Sequence, residues 1–237
     1  MASLVLSDND TSVLQALFDP EAVITSGVKI DTCKSGTYAP NRMERIAQEE
    51  RAALRLIDRA SPSGEVVEET ISRLDSIIAL NPLCASAWNN RAQARRLLYD
   101  VRDLPEHPVE LRSIIADLAR AILLATPSSP AEAVSPMQAK VLASAHTHRG
   151  YLLWHASRSQ RPDEWKESIE GMSEMSVNQL EEMASKEFFL GGRYGNSTAQ
   201  QLAVKTNPYA KLCGSIVKEA LQREMSSKPR ISIYENV

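Results

Sequence analysis

Glycine and phenylalanine are scarce, nine and three residues among 237, and aromatics make up only 5% of the chain. A β-sandwich or barrel is poorly supplied by that composition, whereas Ala, Leu, Glu and Arg recur in long runs that favour helix. Cysteine is scarce too: Cys33, Cys84 and Cys213 are odd in number, far apart and without Cys-x-x-Cys spacing. That pattern argues against a disulfide framework and suits reduced, mostly buried thiols. Charge of one sign is lacking as well, because 30 acidic and 27 basic residues leave a formal −3. With no basic field to draw nucleic acid or anionic lipid, the expected partners are proteins. No Lys or Arg precedes Lys29, so a signal-peptide n-region is missing, and no apolar run approaches the roughly 18 residues of a membrane span. A cytoplasmic protein without a membrane or nucleic-acid partner is expected.

What is present is an ordinary globular balance, 43% hydrophobic and 24% charged, on a chain long enough for one large domain or a short repeat array. Residues 1–40 read as an N-terminal arm, with one short helix at 12–18 whose face is Val13, Leu14, Leu17 and Phe18 before Asp19-Pro20 ends it. Met43, Ile46, Ala47, Ala53, Leu54 and Ile57 then recur at helical spacing, Ser61-Pro62-Ser63-Gly64 breaks the chain, and Val67, Ile71, Leu74 and Ile78 form a second stripe that Asn81-Pro82 stops. Further helices are expected at 85–99, at 111–122 through Leu111, Ile114, Ile115, Leu118, Ala121 and Ile122, and from the Ser135-Pro136-Met137-Gln138 capping box to about Arg158. A segment holding Trp165, Ile169 and Met172 reads as an additional helix. Ser176 to Leu190 is the next, with Gly191-Gly192 expected as its C-cap. A linking helix near 197–205 and a last one opened by Asn207-Pro208 complete the body, and 226–237 is a polar tail.

Helical pairs at a period of about 34 residues mark tetratricopeptide repeats. Pro82 precedes Trp88 by six residues, the separation between one repeat's closing proline and the next repeat's opening aromatic. The predicted fold is therefore all-α: a tetratricopeptide-type superhelix of about three helix-turn-helix repeats, near 43–82, 85–127 and 137–195, plus an inserted helix and C-terminal capping helices over 197–225. In the third repeat Gly150 takes the small position of the first helix, and Ala184, Phe188 and Gly191 those of the second; a register on Leu180 and Met183 is the alternative.

Three collinear strings carry a closer likeness: Val13 to Pro20 (VLQALFDP), Ala87 to Leu97 (AWNNRAQARRL) and Asn207 to Cys213 (NPYAKLC). Together they resemble the tetratricopeptide repeat protein 36 family over most of the chain, with insertions near Asp103, Arg161 and Gly171 and a longer arm. The resemblance implies a non-enzymatic adaptor with no cofactor, associated with the seventy-kilodalton heat-shock chaperone and, in animals, with tyrosine catabolism. Carboxylate-clamp repeats that bind chaperones place Lys, Asn and Arg on successive first helices. Only Asn90 stands at a matching position here; Ser144 and His148 occupy the third repeat's places, and Arg51 with Leu54 or Arg55 the first's.

On a repeat solenoid the first helix of each pair lines the concave face. Ser86, Asn89, Asn90, Gln93 and Arg96, with Leu97 beside them, are the candidate partner-binding groove of the second repeat. An amide can grip a peptide backbone and Arg can fork a carboxylate; a solvated helix face with structural hydrogen bonds is the plainer alternative. Arg91 and Arg95 occupy turns usually filled by Leu and Tyr, so each needs an acidic partner; Asp117, Asp75 and the acidic start of the first hairpin are the candidates for structural ion pairs, and ligand binding is the alternative role. His146, His148 and His155 have the wrong helical spacing to share one metal ion, and no metal site is expected. The rival readings are a self-association scaffold using the Trp165 insertion and, with least support, a metal-dependent enzyme. Partners are expected to be a chaperone or client enzyme, with the chain itself a monomer or weak homo-oligomer.

Overall fold

The computed structural model describes residues 28–34, 37–58, 61–129, 132–169 and 171–207 together with 218, 219, 222 and 223. The expected helix at 12–18, the helix opened by Asn207-Pro208 and the tail at 226–237 lie outside the described residues, save for those four positions and Asn207. Among the described residues the architecture is all-α. The helices are α1 (Pro40–Leu54), α2 (Gly64–Leu80), α3 (Ala85–Arg96), α4 (Pro108–Ala125), α5 (Pro136–Arg158), α6 (Pro162–Ser168), α7 (Val177–Arg193) and α8 (Ser197–Thr206). A 3-10 turn at Leu104–Glu106 fills the break between α3 and α4.

Helix starts follow from local chemistry. Pro40, Pro108, Pro136 and Pro162 each stand at a first-turn position, where the missing N–H has no intrahelical partner to lose and the ring presets φ. Ser135 and Gln138 form the expected capping box, each side chain bonding the other residue's backbone N–H. Ser176 and Gln179 form a second one that opens α7. At the end of α2, Asn81 folds back on the Ile77 carbonyl through both its backbone N–H and its amide, while Arg42 of α1 donates to the Asn81 Oδ1.

Packing runs in sequence: α1 on α2, α2 on α3, α3 on α4, α4 on α5, α7 on α5 and α8 on α7, with α3 also touching α5 directly. This is the expected tetratricopeptide-type order, in which the first helices of neighbouring pairs lie side by side. The stripes read from spacing are the buried ones: Val67, Ile71, Leu74 and Ile78 on α2, and Leu111, Ile114, Leu118 and Ala121 on α4. Both registers weighed for the third repeat meet the same core, since Leu180, Ala184, Phe188 and Gly191 are all buried and Met183 packs partly buried against them. Two apolar clusters result, one around α1 and α2 and one around α4, α5 and α7, and Trp88 of α3 packs against both.

Several expectations are corrected. Gly191 and Gly192 do not end α7, which runs on to Arg193. They are packing positions: a Cβ on Gly191 would lie 2.6 Å from the Thr147 hydroxyl, and one on Gly192 2.7 Å from Gln200 Cγ. The turn itself falls at Gly195, whose φ of 101° only glycine adopts readily. The end of the arm, by contrast with these corrections, touches the body. Ile30 pairs with Val134 in an isolated parallel bridge, and Lys34 Nζ donates to Glu132 Oε1 at 2.7 Å, tying residues 29–34 to the α4–α5 loop. The inserted helix is the short α6, and Trp165 on it is 1% exposed within the main core.

Candidate functional site

Helices α1, α3 and α5 line a trough made of two adjoining hollows. One, of about 380 Å³, is walled by Glu50, Arg51 and Leu54 of α1, Ser86, Asn89, Asn90 and Gln93 of α3, and Lys140 and Ser144 of α5. The other, of about 740 Å³, shares Gln93, Lys140 and Ser144 and continues past Arg96, Leu97, His148 and Tyr151 to Tyr194, Asn196 and Leu202 at the cap. All five groove residues expected from the sequence, and Leu97, therefore line one continuous surface.

Their states differ, because the side chains are differently engaged. Ser86 Oγ donates to Glu50 Oε2 at 2.9 Å and Asn90 Nδ2 to Glu50 Oε1 at 3.0 Å, so both are committed to a carboxylate on the neighbouring first helix. Burial pushes the Glu50 carboxyl above its ordinary value, and these two hydrogen bonds offset only part of that. Asn89 is not an outward residue: it is 5% exposed, and its buried Oδ1 has no hydrogen-bond partner among the described residues. Gln93 is exposed and donates to Ser144 Oγ at 2.6 Å across the α3–α5 seam. Arg96 donates to the Tyr99 carbonyl at 2.7 Å and keeps further N–H donors over. Burial pushes the His148 imidazole down to about 4, helped by Arg96, so the ring is neutral at pH 7.

Behind the groove, Arg91 donates from Nε and one terminal nitrogen to the two oxygens of Asp117, at 2.8 and 2.6 Å, and from the other to Asp75 at 2.5 Å. Its guanidinium also lies 4.7 Å from the centre of the Trp88 ring. Arg95 donates to Glu110 at 2.8 Å and stands 3.7 Å from Asp117. No three His, Cys, Asp or Glu side chains are grouped as metal ligands among the described residues.

Comparison with known proteins turns on full-length likeness. The chain is 42% identical over 239 aligned residues, 93% of each chain, to the L-tyrosine degradation gene cluster protein hmgX of Aspergillus fumigatus. It is 28% identical to tetratricopeptide repeat protein 36 of Homo sapiens and 27% to that of Danio rerio, over at least 90% of this chain and 93% of theirs. The chain belongs to the tetratricopeptide repeat protein 36 family. No family model matches it, and no solved structure does. None of these relatives bears an enzyme's name.

In this member of the tetratricopeptide repeat protein 36 family, the groove holds features that the sequence reading passed over. Lys140 was not among its candidates, yet it faces both hollows with no ion-pair partner among the described residues, as Arg51 does in the smaller one. Glu50 carries no local mark either, since nothing in the sequence around it distinguishes an acid that a neighbouring repeat will bury. His146 and Glu187 were likewise hidden by their separation in sequence. His146 Nδ1 lies 2.9 Å from Glu187 Oε2, and Arg149 donates to Oε1 at 2.5 Å. Burial drives the Glu187 carboxyl up, but these partners outweigh it and hold it below its usual value. This triad pins α5 to α7 and lies apart from the groove.

Proposed function

We propose that this family member is a non-enzymatic interaction module of the cytoplasm, whose α1–α3–α5 groove takes an extended segment of a protein partner serving L-tyrosine degradation. The observation that carries the reading is the continuous trough itself, with exposed Arg51 and Lys140 and the spare donors of Arg96 along it. Such donors fit backbone carbonyls and acidic side chains. The tyrosine connection is supported by the name of the Aspergillus fumigatus relative, which shares 42% identity over nearly its whole length. An enzyme of that breakdown is favoured over a chaperone as the partner, because Asn90, the one clamp-matching residue, is already committed to Glu50.

The test is partner capture from native cytosol by crosslinking, with the full chain compared to Arg51→Glu/Lys140→Glu. Both side chains are exposed and make no close ion pair among the described residues, but both face the buried Glu50 carboxyl at longer range, so circular dichroism of the double variant must match the parent before its binding is compared. Reversing two groove charges should lower affinity by about tenfold or more. Capture of a tyrosine-degrading enzyme by the parent and its loss in the variant is the expected result; undiminished capture by the variant removes the groove as the site.

A further inference from the structure

Away from the groove, a separate hollow of about 540 Å³ opens at the C-terminal end of α5, where the chain turns into the inserted α6. Its size falls within the roughly 300–1,000 Å³ of small-molecule sites. Arg102, Arg158 and Arg161 line it together with Trp154, His155 and Trp165, and no carboxylate does.

Two of the arginines are held in place by acids outside the lining. Asp100 accepts from Arg102 Nε at 3.0 Å, and Glu106 accepts from Arg161 at 2.9 Å with Glu164 at 3.2 Å. Each guanidinium has five N–H donors, so these pairings orient the forks and leave donors unused. Arg158 has no acidic partner among the described residues, and its guanidinium lies 5.2 Å from the centre of the Trp154 ring. The Trp154 Nε1–H is itself buried with no acceptor among the described residues, an unusual state for a polar group in a protein interior, so the indole meets the hollow with its ring and not with its N–H. His155 meets Trp154 edge-on at 5.9 Å, and burial holds its imidazole below the ordinary value, so it brings an aromatic surface and no charge at pH 7. The carbonyl end of α5 opposes an anion with roughly half a unit charge, less than one guanidinium supplies.

The hollow thus offers flat aromatic walls and an excess of donors. We propose that it is a binding site for a small aromatic carboxylate, its ring against the indole and imidazole surfaces and its carboxylate accepting from Arg158 and from the unused donors of the arginines beside it. An uncharged aromatic leaves those donors unmatched, and an inorganic oxyanion leaves the aromatic walls uncovered. The site is separate from the groove and does not depend on what the groove binds.

The probe is phenylacetate, titrated into the full chain by calorimetry and by tryptophan fluorescence, with benzyl alcohol and inorganic phosphate run in parallel. Saturable one-to-one binding is expected, with benzyl alcohol weaker by about tenfold, the margin a charge-assisted hydrogen bond supplies, and phosphate weaker by about tenfold through the apolar contact it cannot make. Arg158→Gln should lose about tenfold in affinity, as a lost charged partner does, and Trp154→Ala, which removes the aromatic wall, several-fold. Lys140→Glu in the groove should leave phenylacetate binding unchanged. Circular dichroism of each variant separates loss of the site from loss of the fold. No saturation up to about 10 mM, a range that detects even the weakest specific ligands, overturns the proposal. So does parity of benzyl alcohol or phosphate with phenylacetate, full affinity in Arg158→Gln, or loss of binding in Lys140→Glu.

Discussion

Asp117 is 3% exposed and accepts two hydrogen bonds from Arg91, with Arg95 close by. Removing a buried acid strands the cations that face it, and the desolvation of those cations is then uncompensated. Asp117→Ala is expected to cost about 3 kcal/mol in urea unfolding, the range for breaking a buried pair from one side. Asp75→Ala should cost under about 1 kcal/mol, because its side chain is 47% exposed and water screens the contact. Equal costs for the two would mean that burial does not set the strength of this network. At this scale the sequence was informative where a residue broke a pattern. Arg91 and Arg95 stand where a repeat of this kind carries Leu and Tyr, which made acidic partners predictable. Glu50 and Lys140 broke no pattern, so their places in the groove were not readable.

Helix α7 shows how an element can be placed correctly and explained wrongly. A glycine pair after an apolar run fits a C-cap, and the helix nevertheless continues through it. The reason is distance to neighbours: α5 and α8 approach so closely that Gly191 and Gly192 leave no room for a Cβ. Gly191→Ala gains about 1 kcal/mol in helix propensity, yet it pushes a methyl group against the Thr147 hydroxyl, which is itself bonded to the Ala143 carbonyl. Overpacking of that kind costs roughly 1–3 kcal/mol. Thermal unfolding of Gly191→Ala should therefore show net destabilisation, partly recovered in Gly191→Ala/Thr147→Ala. A more stable single variant would restore the capping interpretation. The capping box at Ser135 to Gln138, by contrast, was readable in full, since its chemistry lies within four consecutive residues.

Trp88 joins the two apolar clusters of the described residues. Its indole N–H donates to the Pro82 carbonyl at 3.0 Å, and Arg91 covers the ring. In a stacked-repeat protein each unit is stabilised by its neighbour, so a link of this kind sets how cooperatively the units unfold. Trp88→Ala should lower stability by about 3 kcal/mol, as large-to-small core changes do. It should also make amide exchange in α1 and α2 rise ahead of α5 and α7, read by hydrogen exchange with mass spectrometry. Uniform acceleration across all helices would show that the clusters unfold as one body regardless of Trp88.

By itself, the sequence determined the helices, their order and most of their buried faces, because periodicity, prolines and caps act over a few residues. It also carried the repeat boundary at Pro82 to Trp88 and the candidate groove on α3. Only the tertiary structure decided which of those groove side chains are free. Ser86 and Asn90 are drawn to a carboxylate 40 or so residues away in sequence, Asn89 turns inward, and Lys140 arrives from the next repeat. The physical reason is that hydrogen bonds and desolvation between helices depend on distances across the stack, and no local spacing encodes them.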